Sequence, residues 1–213
     1  MRIDKSLHRR QPWRVHAICS DFELEDVWRF PIEASGEDSF EAFRATFQQA
    51  VAALAKSGAV GLLFRLRRLM GRWFRWDTAR SAANVLARDS LLDRYLRDSD
   101  GEGAAERGEE VAAEFYPVYI LASESLAEIA NKTVHAALHL GWIVHDDGRI
   151  SATLAVYVRT RGRFTRWYMT AINPFRHYLV YPAMMRRTAR MWTKRALTRD
   201  RDHVQATNQT SPD

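Results

Sequence analysis

From Lys132 to Val144 the apolar residues recur at every second position. Val134, Ala136, Leu138, Leu140, Trp142 and Val144 are apolar, while Thr133, His135 and His139 between them are polar. A period of two is the mark of a strand with one buried face. The run His145-Asp146-Asp147-Gly148 predicts a turn, with Gly148 free to take a positive φ. Ile150, Ala152, Leu154, Val156 and Val158 then repeat the alternation against Ser151, Thr153, Tyr157 and Arg159. The even-numbered face of both strands is expected to close over a neighbouring layer. His135 and His139 are expected on a polar outer face.

Elsewhere the period changes. Phe40, Phe43, Phe47, Val51 and Leu54 predict a helix within residues 35–55, capped by Ser39. Leu62 to Trp76 predicts a second helix. Its apolar arc holds Leu66, Leu69, Trp73 and Phe74, and Arg65, Arg67, Arg68, Arg72 and Arg75 lie opposite. A third, weaker helix is predicted within residues 81–96.

Asn173-Pro174 can open a final helix along which Phe175, Tyr178, Leu179, Met185, Ala189, Trp192 and Ala196 share a face. It is apolar over most of its circumference, so it must be covered on most sides. Pro182 should kink it by removing a hydrogen bond and crowding the carbonyl of Tyr178. The long final helix is the element that the even strand face should embrace.

The remaining segments carry weaker signals. Residues 1–11 are polar and basic and predict a flexible tail, and residues 198–213 predict a disordered one. Val15, Ala17 and Cys19 alternate and predict a short strand, whereas residues 21–30 predict one or two helical turns ended by Pro31. Glu23, Glu25 and Asp26 could be read as acid/base groups, but Glu25 and Asp26 are adjacent, so their side chains diverge, and a helix-start or surface role is expected. An acidic loop is expected at about 98–114, a further strand from Phe115 to Leu121, and a connection over 123–128. The whole of 12–197 reads as one domain.

Composition narrows the class without naming a chemistry. Hydrophobic residues make up 46% and charged residues 27%, which is globular. The net charge of +6 permits an anionic partner but does not require one. Cys19 is the single cysteine, so no internal disulfide is possible. No secretory signal and no run long enough for a spanning helix is read, so a cytoplasmic location is expected. Hydrolase elbows, phosphate loops, metalloprotease helices and dinucleotide fingerprints are absent from the sequence, so no cofactor is expected. His135 and His139 could share a metal on a helix but stand ~13 Å apart on a strand, so no metal site is expected.

The segments EIANKTVHAALHLGWIV, AVYVRTRG and YMTAINPFRHYLVYPAMMRRTARMW closely resemble the bacterial domain-of-unknown-function family 2867. DFELEDVWRFP and LRRLMGRWFRWD are also similar to it, and the resemblance spans roughly residues 12–196. That family resembles the START-like (Bet v 1-type, SRPBCC) superfamily. The resemblance implies an α+β fold in which a curved antiparallel sheet wraps a long C-terminal helix, a helix grip, with additional helices in the N-terminal half. It also implies a cavity between sheet and helix, but no catalytic residues.

The polar and aromatic groups expected to reach such a cavity are Glu128, Asn131, Trp142, Tyr157, Tyr168, His177, Tyr178 and Tyr181. An apolar or amphipathic small molecule is the expected partner. Two alternatives stay open. One is a membrane-surface or protein-interaction module built on the helix 62–76, through Arg65, Arg68, Arg72 and Arg75, against an anionic membrane. The other is an enzyme of cyclase or hydratase type. No specific nucleic-acid binding is expected, because basic charge alone supports only non-specific contact.

Overall fold

The computed structural model describes residues 1–56, 89–106, 115–130, 134–160, 174 and 176–209. The predicted helices at 62–76 and in most of 81–96 lie outside these residues. The described elements are α1 (Lys5–Arg9), α2 (Val15–Ile18), β1 (Glu23–Arg29), α3 (Phe40–Lys56) and α4 (Leu91–Asp98). They continue with β2 (Tyr116–Ile120), β3 (Glu124–Ala130), β4 (Val134–Val144), β5 (Ile150–Thr160), a π turn (Arg176–Val180) and α5 (Tyr181–Gln209). The strands form one antiparallel sheet in the order β1-β5-β4-β3-β2. The fold is therefore α+β, a five-stranded curved sheet against a long C-terminal helix in a helix-grip arrangement.

The sheet grows from its central hairpin. Gly148 takes φ 77°, the left-handed conformation the turn needs, and β4 pairs with β5 from Val144↔Ile150 to Val134↔Thr160. The even face carries Leu140, Trp142, Ala152, Leu154, Val156 and Val158, and it packs against α3 and α5, as the alternation predicts. Phe43 and Phe47 reach it from α3, and Tyr181, Met184, Met185 and Trp192 reach it from α5. Ser39 caps α3 by accepting the Ala42 amide at 3.2 Å. Trp192 also donates its indole N–H to the Glu33 carbonyl at 2.8 Å, tying α5 to the loop before α3. Burying such a side chain contributes roughly 1.5–3 kcal/mol, so this face is a major store of stability.

The odd face departs from expectation. It is not an outer polar surface but the floor of a second buried layer. Trp13, Val15, Ile18, Leu91, Leu92 and Tyr95 cover it, packing on Leu24, Val27, Leu126, Ala137 and Ala155. Residues 1–20 are part of this cover. The predicted tail folds as α1, with the Ile3 amide bonded to Val27 and the Arg29 amide to Met1. Residues 15–18 are helical rather than extended, residues 23–29 are a strand rather than helical turns, and 124–130 is a strand rather than a connection. A β-bulge breaks the period of β1, and β2–β3 closes through a short turn; both hide strand signals in the sequence. At the other end, α5 continues to Gln209, beyond the predicted end of ordered chain.

Gly141 shows how closely the N-terminal arm is fitted. A Cβ there would lie 2.5 Å from the Trp13 ring and 2.9 Å from the Thr153 hydroxyl. The indole occupies the space that only glycine leaves open on β4.

Candidate functional site

The best-defined polar group on the helix side of the sheet is built around Asp26. Leu24 pairs with Tyr157 and Asp26 with Val156, so one extra residue, Glu25, is inserted between them. The bulge reverses the parity of β1 and turns Asp26 to the helix face, where Leu24 does not point. Asp26 is 1% exposed. Its Oδ2 accepts a hydrogen bond from His177 Nε2 at 2.8 Å, and its Oδ1 lies 3.1 Å from the Arg2 guanidinium.

His177 sits in the π turn that leads into α5. Pro182 has no amide proton to give to the Tyr178 carbonyl, and its ring crowds that carbonyl. The helix widens into a π turn at this place, a feature often found at functional sites. Two aromatic residues complete the group. Trp28 lies on the same face of β1 as Asp26, with its ring edge-on to His177 at 6.1 Å and tilted against Tyr181 at 5.1 Å. Its buried indole N–H meets no acceptor among the described residues.

The chemistry of this group follows from its protons. A carboxylate only accepts, so His177 donates through Nε2. The side chain is 22% exposed, so a small molecule can approach it. A buried carboxylate thus orients a partly open imidazole, beside an indole donor that meets no acceptor among the described residues. The group can accept a hydrogen bond from a hydroxyl and donate one to a carbonyl oxygen.

Of the residues predicted to line a cavity, His177 and Tyr181 belong to this group. Trp142 lies on the same sheet face but stacks into the core, 5.5 Å from Phe43 and 6.0 Å from Trp192. Tyr178 is 83% exposed and points outward, because the π turn rotates it off the packed face. Glu128 and Tyr157 both pair with Ala137, which puts them on the odd face, away from α5. Asn131 and Tyr168 lie outside the described residues, as do Arg65, Arg68, Arg72 and Arg75. Asp26, expected at a helix start or on the surface, is instead buried on a strand. The one available signal was a break in alternation along β1.

Beneath the N-terminal arm, the odd face carries a layer of acid–imidazole pairs. Glu128 accepts from His135 Nε2 at 2.7 Å, from the Ser90 hydroxyl at 2.7 Å and from the Leu91 amide at 3.0 Å. It thereby sits at the positive N-terminus of α4. Arg159 donates toward His135 Nδ1 at 3.4 Å and pairs with Asp21 and Asp89. Arg94 also binds Asp21 at 2.5 Å, and the hydrogen bonds of Arg94 and Arg159 hold its carboxyl down at about 2. This half of the layer is a partnered scaffold.

The other half leaves lone pairs unused. Glu124 accepts from His139 at 2.9 Å, Tyr119 at 2.8 Å and the Arg14 amide at 2.9 Å. Burial would raise its carboxyl, but these donors outweigh burial and lower it. His16 donates Nε2–H to the Gln11 carbonyl, so its Nδ1 accepts from the Tyr157 hydroxyl. That hydroxyl must then accept from His8 Nε2. Burial disfavours the charged form of both His8 and His139, and among the described residues neither Nδ1 has a partner. Burial first, then the neighbouring His139, His16 and Arg9, brings His8 down to about 2. Burial also lowers His139, against the pull of Glu124. Cys19 is buried at the end of α2, which pushes its thiol up and keeps it protonated.

A groove of about 480 Å³ also opens where α3 meets α5, lined by Ser39, Ala42, Thr46, Gln49, Met191 and Arg195 among others. It shares no residue with the Asp26 group. Among the described residues, no helix is long and apolar enough to cross a membrane.

Fold and site together define an α+β sheet-and-helix protein with a buried aspartate–histidine pair where strand and helix meet. The chain belongs to the family described as "Protein of unknown function (DUF2867)", whose model matches residues 18–184. The matched span contains Asp26, Trp28, His177 and Tyr181. It excludes the arm residues Arg2, His8, Trp13 and His16. No curated protein and no solved structure matches the chain.

Proposed function

We propose that the protein binds an apolar or amphipathic small molecule at the junction of β1 and the start of α5, with Asp26 and His177 reading its polar end. One observation carries this reading. A buried carboxylate holds a partly open imidazole, next to a buried indole N–H that meets no acceptor among the described residues. Leaving a buried donor unsatisfied costs about 1–3 kcal/mol, a cost that a ligand oxygen would offset. The aromatic rings of Trp28 and Tyr181 give the apolar part of a ligand a wall to lie against. The resemblance to START-like proteins, whose ligands lie between sheet and C-terminal helix, supports the same location.

Native mass spectrometry of protein purified from cells, or incubated with a lipid extract, tests the proposal. A non-covalent adduct is expected, and Asp26→Asn combined with His177→Phe should remove it. An adduct that survives both substitutions, or no adduct from either source, would overturn the reading.

The same pair also supports proton transfer, because an imidazole oriented by a carboxylate is the usual form of a general base. The observation favouring it is that His177, held by the buried Asp26 carboxylate, is partly open. A bound molecule whose mass changes on incubation with the wild type but not with Asp26→Asn would identify a cyclase- or hydratase-like reaction. An unchanged mass and an unchanged chromatographic retention of the released molecule in both would exclude such a reaction.

A further inference from the structure

The outer face of α5 is a ridge of cations. From Tyr181 to Arg199 the chain has six basic residues and no acidic one. They divide by direction. Arg195 and Arg199 turn toward the loop before α3 and meet Asp38 at 3.9 and 2.6 Å. Arg186, Arg187, Arg190 and Lys194 are exposed, and no acidic side chain among the described residues pairs with them.

At ~100° per residue these four, with Leu197 and Arg201, share an arc of about 100° that runs about 22 Å along the helix. Leu197 is 56% exposed within that arc, and Tyr178 stands open at the helix start. A solvated helix face ordinarily mixes both signs of charge. Here Arg186 and Arg190, then Arg190 and Lys194, are like charges four residues apart, an arrangement that opposes helix formation. Nothing within the described structure compensates for it.

We infer that this ridge docks the protein on an anionic lipid surface. A straight helix touches a plane along one line, so all five cations can reach lipid headgroups together. Leu197 on that line can enter the interface between the headgroups, where an apolar side chain is favoured. A nucleic-acid partner would use the same charges but has no use for the leucine. The face also carries no Asn or Gln for reading base edges.

The experiment is co-sedimentation of the full chain with vesicles of mixed phosphatidylserine and phosphatidylcholine, with duplex DNA binding measured in parallel. Binding to the mixed vesicles at low salt is expected, with loss near ~1 M salt, where the screening length falls to ~3 Å. Each cation near an anionic surface contributes enough that Arg190→Gln with Lys194→Gln should weaken partitioning about thirty-fold. Both positions are exposed, and circular dichroism will confirm that the variant is folded. No vesicle binding at low salt would overturn the inference. So would equal binding to pure phosphatidylcholine, binding that the variant leaves unchanged, or duplex DNA bound more tightly than the vesicles.

Discussion

His8 should make this protein acid-sensitive well above the range in which carboxylates titrate. The imidazole is 2% exposed, stands between Trp13, His16 and His139, and uses its only proton to reach the Tyr157 hydroxyl. A second proton on Nδ1 would find no acceptor among the described residues. Glu124, the carboxylate bonded to the neighbouring His139, is already engaged by His139, Tyr119 and Arg14.

The folded form therefore holds His8 near 2, against an ordinary value of 6.5. Between those values the unfolded chain binds a proton that the folded chain refuses, so stability falls as pH falls below 6.5. The slope is ~1.4 kcal/mol per pH unit for one such group. From pH 6.5 to 5.0 the loss should be about 2 kcal/mol, and His139, lowered by burial, adds in the same direction. Carboxylates act in a lower window. The support from Asp21 is complete above 3.8 and is lost as pH falls toward about 2.

Urea unfolding at pH 7.0, 6.0 and 5.0, followed by circular dichroism, measures this. His8→Gln keeps a donor for Tyr157 but cannot be protonated. It should cost about 1 kcal/mol at pH 7 and flatten the acid limb by the share of one histidine. If His8→Gln unfolds with the wild-type pH slope, the buried-neutral assignment is wrong.

Three other outcomes are expected. Gly141→Ala should drive a methyl into the Trp13 ring and cost about 1–3 kcal/mol, a melting shift of several degrees in calorimetry. Trp13→Ala should remove most of that added penalty in the double variant. Glu128→Gln should weaken the N-terminus of α4 and the His135 contact together, lowering urea stability by about 1–3 kcal/mol, and hydrogen exchange should locate the loss in residues 91–98. A double-mutant cycle of Asp26→Asn and His177→Phe should show a coupling of about 1.5–3 kcal/mol in thermal unfolding, whereas additive effects would deny the 2.8 Å contact.

Local patterning alone determined the central hairpin, its glycine turn, α3 with its Ser39 cap, and a C-terminal helix that must be covered on several sides. These features are written in spacing that neighbours along the chain enforce. The same alternation correctly placed the even face against α5. Period two says that two faces differ. It does not say whether the polar face meets water or another layer. His135 and His139 are buried because Glu128 and Glu124 pair with them across β3–β4, and because α1, α2 and α4 close over the pairs. A buried imidazole is stable only when its partners are present, and those partners come from other strands and helices. Asp26 was illegible for a related reason. A bulge changed its parity, and its partner lies 151 residues away on α5's leading turn. Sequence determined which elements exist where the period is strong. Only the tertiary structure decided which polar side chains are buried, because that depends on partners that no local pattern encodes.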